Sequence, residues 1–203
     1  MGIKDLEVRK VEFSELLTGV AAGRWTMNTA LFVTPERCKT VAYSNPIWAL
    51  GDGMIVRAGN PKRIGSYASV AKTDARIGVV KGTAQVATAK AAGVPADRIV
   101  EFGTQEEVIA AIKAGRVDAY PNTALGHRAL LASLRDADLA LAEPFELPMD
   151  PGGPKRDLAR SLSAKRTVPL SLASTRSWRN SLAPTNTARF SPTVSGLMKL
   201  LRR

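Results

Sequence analysis

The stretch MNTALFVTPER, residues 27–37, joins a strand-like run to the start of a helix. Thr34 is a residue type that caps helices, and Pro35 follows at the first helical position, where its missing N–H costs nothing. Glu36 then lies in the first turn, where the helix dipole favours a negative charge. The stretch therefore predicts a strand, a cap and a helix, in that order.

Arg37 projects from this turn and is the first candidate for a binding residue. Its guanidinium is planar and permanently charged, and it can hold a carboxylate through two parallel hydrogen bonds. The alternative is a surface arginine on a capped helix, and the turn alone does not decide between the two. The rest of the chain favours the binding role.

The charge of the chain is unevenly distributed. The 203 residues, 45% of them hydrophobic, suffice for one ordinary domain or two small lobes. A net charge of +11 would by itself suggest nucleic acid or an anionic membrane as the partner. Residues 151–203, however, contain 11 Lys and Arg against a single acidic residue, Asp157. Because these basic residues neither share a face nor alternate with aromatic residues, we predict no nucleic-acid partner.

The composition argues against several kinds of site. Cys38 is the only cysteine, so no internal disulfide can form. With no cluster of cysteine and histidine, we predict neither a metal ion nor a cofactor. The first 25 residues lack a signal-peptide core, and no run of 18 apolar residues predicts a membrane-spanning helix.

Strands and helices alternate along the middle of the chain. The alternation of apolar and polar residues predicts a strand over 6–13, and Ser14 begins a predicted helix. Gly51-Asp52-Gly53 predicts a turn. Gly59-Asn60-Pro61 marks a lobe boundary. Beyond it the pattern predicts strands at 76–80, 98–102 and 117–120, and helices at 66–73, 83–92, 104–115 and from 123. This alternation is typical of an α/β fold with a parallel sheet.

Polar side chains follow three of the predicted strands where a helix begins. The stretches are 34–37, 81–85 and 120–123. Ligands of open α/β sheets bind beyond the carboxyl ends of the strands. Each stretch alone is consistent with an ordinary helix cap, but their recurrence at one topological position predicts a ligand site.

Four segments carry a family resemblance: residues 15–24, 34–37, 79–85 and 114–120. Their order and spacing resemble the polar amino-acid substrate-binding proteins of ABC importers, solute-binding protein family 3, and most closely the ectoine/hydroxyectoine-binding subgroup. The resemblance covers about residues 5–150. It implies the type II periplasmic-binding-protein fold, an α/β fold with two hinged lobes, and a periplasmic or extracytoplasmic location. The implied partners are a small amino-acid-like ligand and the membrane permease of the importer.

The resemblance also implies a division of the chain. Residues 1–57 would be a partial first lobe, 58–145 the second lobe and 146–156 the return crossover. Because the strand predicted over 6–13 corresponds to the middle of the family's first lobe, we expect Met1 to be an internal methionine of a longer protein. After Arg156 both the resemblance and the composition change, and the codons permit family-like sequence in another frame. We therefore expect a frameshift, and a disordered basic tail over 157–203 in place of the strand that completes the first lobe.

Five ligand contacts follow from the resemblance. Arg37 matches the arginine that binds the ligand carboxylate. Thr29 and the backbone of Phe32 match polar contacts of the first lobe. Thr83 and Gln85 match contacts at the start of a second-lobe helix.

Two departures from the family pattern bear on the ligand's cation. Ala84 stands where the family often has a hydroxyl residue, and Thr123 stands where it often has an acid for the ligand's ammonium. Thr123 remains a candidate contact, but a delocalised or ring-embedded cation, held over an aromatic face, fits better than a concentrated one. Trp48 is the candidate face, and a core or hinge aromatic is the alternative.

Three functions are compatible with these features. The resemblance implies a solute-binding receptor, not an enzyme, that binds a small carboxylated amino acid or ectoine-like compatible solute between its lobes. A dehydratase-like enzyme on the same fold would need a general acid or base in the cleft. Glu36 and Asp118 are better explained by capping and structure. The third alternative is a non-functional truncated product.

Overall fold

The computed structural model describes residues 7–165, which form two main β-sheets with helices packed against them. The strands are β1 (Met27–Phe32), β2 (Val41–Leu50), β3 (Asp52–Arg57), β4 (Ile77–Val80), β5 (Ile99–Phe102), β6 (Ala119–Thr123), β7 (Leu139–Leu141), β8 (Met149–Asp150), β9 (Gly153–Pro154) and β10 (Asp157–Ala164). The helices are α1 (Phe13–Ala21), α2 (Pro35–Thr40), α3 (Tyr67–Lys72), α4 (Ala84–Ala91), α5 (Gln105–Lys113) and α6 (Ala124–Leu134), with a 3₁₀ helix at Ala96–Arg98. Within this described part, no helix has both the length and the apolar character needed to cross a bilayer.

The first sheet has three antiparallel strands in the order β1-β10-β2. The central strand places Leu162 opposite Asn28 of β1 and Tyr43 of β2. Helix α1 packs against this sheet, and Val20 joins Leu31 and Leu162 in a small apolar core. This core holds β1 and α2, the elements that carry the Arg37 turn.

The second sheet has five strands in the order β5-β4-β6-β3-β7. β4 pairs in parallel with both β5 and β6, which confirms the predicted parallel strands. β3 runs antiparallel to β6 and β7. One core cluster includes Tyr67 and Val70 of α3, and another includes Val108 and Ile112 of α5. A parallel sheet covered in this way turns the carboxyl ends of its strands towards one edge.

The chain passes between the two sheets twice. Gly51 separates β2 from β3, and residues 142–156, which include β8 and β9, lead from β7 back to β10. The sheets therefore belong to two lobes joined by two crossovers.

Two predictions for the first half of the chain are wrong. Residues 7–12 form neither strand nor helix, and α1 begins at Phe13. Apolar and polar residues alternate in this segment, but no strand among the described residues pairs with it, and Val8 is 84% exposed. Asp52–Arg57, placed by prediction in the first lobe with Asp52 in a turn, is instead β3 of the five-stranded sheet.

The predicted disordered tail is wrong for its first residues. Asp157–Ala164 forms β10, the strand that returns to the first lobe and pairs on both sides. The remaining part of that prediction, residues 166–203, lies outside the described residues.

Candidate functional site

The Thr34 turn has the predicted geometry. Thr34 is extended and its Oγ1 accepts a hydrogen bond from the backbone N–H of Arg37 at 3.3 Å, while Pro35 opens α2. The cap fixes the first turn of the helix, so the Arg37 side chain leaves the backbone in a defined direction. It is only 8% exposed, which excludes the alternative of a surface arginine.

The Arg37 guanidinium lies between the two lobes. Its Nη1 donates to the carbonyl oxygen of Phe32, and its Nη2 donates to that of Gly82, each at 2.7 Å. Phe32 belongs to the first lobe and Gly82 follows β4 in the second. The Tyr43 hydroxyl also donates to the Phe32 carbonyl, at 3.1 Å. Burial lowers the pKa of Arg37 from its ordinary value, with the neighbouring Tyr43 opposing the shift.

The Arg37 guanidinium donates its hydrogen bonds to two neutral carbonyl oxygens, and the Asp157 carboxylate acts on its charge only as a smaller attraction that opposes the lowering of its pKa. None of the ion pairs within residues 7–165 involves Arg37. Buried charges in proteins are usually paired, because an ion loses its hydration on burial. The site is therefore electrostatically suited to an anion.

The second-lobe stretch lies directly across from Arg37. Gly82 has φ +79°, a left-handed conformation that glycine adopts readily, and it turns the chain from β4 into α4. The Thr83 hydroxyl donates to the Val80 carbonyl at 2.8 Å rather than capping α4. Gln85 is 2% exposed, and its Nε2 donates to Asp52 Oδ1 at 2.8 Å. Its amide group is therefore held by the protein.

Asp52 anchors this side of the cleft and was missed by the sequence analysis. The Tyr67 hydroxyl donates to Asp52 Oδ2 at 2.6 Å, so the carboxylate accepts from both Tyr67 and Gln85. It is 7% exposed. Beside it, Lys155 Nζ donates to Thr88 Oγ1 at 2.7 Å, which ties the return crossover to α4. The network fixes the start of α4 relative to both crossovers.

Burial raises the pKa of Asp52 above its ordinary value of 3.8, against the opposing effect of its two hydrogen bonds. The folded state therefore binds this proton more tightly than the unfolded chain. That contribution to stability is complete below the unfolded pKa and is lost as the pH rises through the raised folded pKa.

We expect Asp52→Asn, which cannot ionise, to gain stability relative to wild type between pH 4 and pH 7 in urea unfolding. Parallel curves for Asp52→Asn and wild type would contradict the assignment.

The third predicted stretch follows β6. Thr123 Oγ1 accepts from the Gly126 N–H at 3.2 Å and caps α6. Asn122 Nδ2 donates to the Tyr120 hydroxyl at 2.9 Å. His127, 1% exposed, packs edge-on against Tyr120 with 4.8 Å between ring centroids. Burial lowers the pKa of His127 to about 4, so this side chain is neutral at pH 7.

A cleft of about 410 Å³ connects these stretches. Six of the seven predicted ligand-binding residues line it: Phe32, Arg37, Trp48, Thr83, Gln85 and Thr123. Thr29 does not; it is exposed on β1. Trp48 is 37% exposed, which favours a cleft aromatic over a core one.

The cleft also has walls that the sequence analysis did not assign. One is residues 10–13, which lead into the first residue of α1, and another is residues 103–106, which follow β5. The capping box of Thr104 and Glu107 was visible in the sequence, and the structure forms it. The end of β5 is therefore a fourth strand end at the site, and its capping box was the signal that could have identified it.

A two-lobed α/β molecule with a ligand-sized cleft at the strand ends defines the type II periplasmic-binding class. EhuB in complex with hydroxyectoine superimposes with a TM-score of 0.72 at 27% identity, over 86% of this chain and 68% of EhuB. Arginine-bound AbpA from Streptococcus pneumoniae also gives 0.72, at 21% identity, over 87% of this chain and 70% of AbpA. The fold is that of these binding proteins.

The sequence is similar to one family of that class. Residues 1–92 match the model of bacterial extracellular solute-binding proteins, family 3. A probable amino-acid ABC transporter periplasmic-binding protein of Sinorhizobium fredii is 36% identical over 155 residues, or 75% of this chain. The chain spans about half of that curated relative, 51% of its length. Over its first 92 residues the chain is therefore similar to the solute-binding proteins of family 3.

Proposed function

We propose that the protein is the solute receptor of an ABC importer and binds a small carboxylated amino acid, or an ectoine-like compatible solute, between its lobes. Its partner is the importer's membrane permease, and its place is outside the cytoplasmic membrane. The Sinorhizobium relative supports the transport role, and EhuB supports a zwitterionic solute. The Sinorhizobium relative is named as a binding protein rather than an enzyme, which supports a non-catalytic role.

The observation that carries this proposal is the position of Arg37. A buried, permanently charged fork lies where the two lobes meet and contacts a carbonyl from each. A ligand carboxylate there would replace neutral acceptors with a charged one and would contact both lobes together. Binding between lobes would then favour their closed arrangement, because only that arrangement offers both sets of contacts.

The remaining predicted residues differ in how directly they contact the ligand. Thr83 offers its hydroxyl beside Arg37, and Phe32 contributes a backbone carbonyl. Gln85 acts through Asp52, since its amide is already bound, and its role is to position the start of α4. Trp48 supplies an aromatic face for the ligand's cation, and Thr123 is a neutral contact near it.

The proposal is tested by titration calorimetry of the full chain with hydroxyectoine and with arginine. We expect saturable one-to-one binding of at least one of them. Binding should weaken when the ligand carboxylate is converted to an amide, because Arg37 then gains only a neutral acceptor. If neither compound binds to the folded protein, the receptor function proposed is wrong.

A further inference from the structure

The second lobe contributes polar side chains to the cleft that have no role in the proposed binding of the ligand carboxylate. They lie at the ends of β5 and β6, away from Gly82, and comprise Gln105, Glu106, Tyr120 and Asn122. The two strands end in the same direction on either side of β4, so their following residues share one wall of the cleft.

Hydrogen bonds link three of these side chains. Asn122 Nδ2 donates to the Tyr120 hydroxyl at 2.9 Å, and that hydroxyl donates to Gln105 Oε1 at 3.5 Å. Asn122 Oδ1 accepts from the Thr123 N–H at 2.8 Å, which fixes the orientation of the amide. The chain of bonds holds Gln105 and Asn122 against the wall. Gln105 Oε1 still has a lone pair to offer.

Glu106 adds a negative charge to this wall. Its carboxylate takes part in none of the ion pairs formed by the described residues. It is close enough to Tyr120 to contribute to the raised pKa of that hydroxyl, after the larger effect of burial. The cap of α5 is completed by Thr104 and Glu107, so the capping of the helix does not require Glu106.

We infer that Glu106, with Gln105 Oε1 beside it, accepts hydrogen bonds from the cationic end of the ligand, in addition to the aromatic face of Trp48 and in place of the acid that position 123 lacks. The inference rests on the proposed receptor function and narrows its ligand class. Carboxylate and amide oxygens accept hydrogen bonds, so the ligand is a zwitterion whose cation carries N–H groups, such as an amidinium or guanidinium. A quaternary ammonium, which has no N–H, is a poorer ligand.

The test compares Glu106→Gln with Glu101→Gln, an exposed glutamate of β5 outside the cleft, in titrations with hydroxyectoine and arginine. Glu106→Gln should weaken binding about 10-fold, the effect of losing a hydrogen bond to a charged group, while Glu101→Gln binds as wild type. Glu106→Asp should keep part of the affinity. Thermal unfolding of the variants without ligand separates a loss of binding from a loss of fold.

Each outcome is decisive. Wild-type affinity in Glu106→Gln overturns the cation subsite and leaves the receptor function standing. Equal losses in Glu101→Gln and Glu106→Gln indicate a long-range charge effect and also overturn it. If the wild-type chain binds neither compound, the receptor function itself fails, and the subsite fails with it.

Discussion

Arg37→Ala is expected to weaken the binding of a carboxylate ligand by about 100-fold or more, since truncating one partner of a buried hydrogen-bonded charge pair removes several kcal/mol. Arg37→Lys keeps the charge but loses the planar fork, so it should bind more weakly than wild type and more tightly than Arg37→Ala. Arg57→Ala, an exposed arginine at the end of β3, is the matched control and should bind normally. Calorimetric titration with hydroxyectoine and arginine measures all four proteins.

A variant that does not fold correctly would also lose ligand binding. The Arg37 side chain also holds the Phe32 and Gly82 carbonyls, so urea unfolding of each variant must accompany the titrations. A folded Arg37→Ala protein that retains the wild-type affinity would show that the ligand carboxylate binds elsewhere.

Leu162→Ala should lower the free energy of unfolding by about 3 kcal/mol, the usual cost of truncating a fully buried leucine. Leu162 is 1% exposed and lies in the core between the three-stranded sheet and α1. Leu158→Ala is a matched control on the same strand, because Leu158 is 41% exposed. That variant should stay within about 0.5 kcal/mol of wild type. Urea denaturation with a common slope for all three proteins is the measurement.

The two leucines test whether β10 is part of the first lobe. Equal, small effects at both positions would mean that residues 157–164 do not pack as a strand. If Leu162→Ala alone lowers the free energy of unfolding strongly, this variant should also bind ligand more weakly, because the same core supports β1 and the Arg37 turn.

Local signals in the sequence were sufficient for the strands and helices between residues 66 and 134 and for the turn that carries Arg37. The capping residues Thr34 and Thr104 specify helix starts by themselves, and the strands between 76 and 120 are short apolar runs between turn residues. The parallel pairing of β4 with β5 and β6 then follows from the alternation of strands and helices. Five of the six cleft residues lie next to one of these local features, whereas Trp48, within β2, was predicted only as an aromatic face for the ligand's cation.

The errors share a different cause, which is pairing between residues distant in the chain. β10 reads DLARSLSA, a sequence poor in β-branched residues, and it becomes a strand through partners more than 100 residues earlier. Asp52 looks like a turn residue between two glycines, yet it bonds Gln85, 33 residues away. Residues 7–12 show the reverse case, in which the alternation is present but no strand between residues 7 and 165 pairs with it.

In the proposed receptor, a solute that binds Arg37 replaces a hydrogen bond that Arg37 already makes to a backbone carbonyl, rather than adding a new one. A solute that offers a neutral carbonyl, such as an amide or ester, replaces one acceptor with an equivalent one and gains little. A carboxylate replaces a neutral acceptor with a charged one, and charge-assisted hydrogen bonds are roughly twice as strong. With the proposed receptor function, Arg37 would therefore select solutes by their ionisation, and its two backbone hydrogen bonds would set the interaction energy that a solute must exceed.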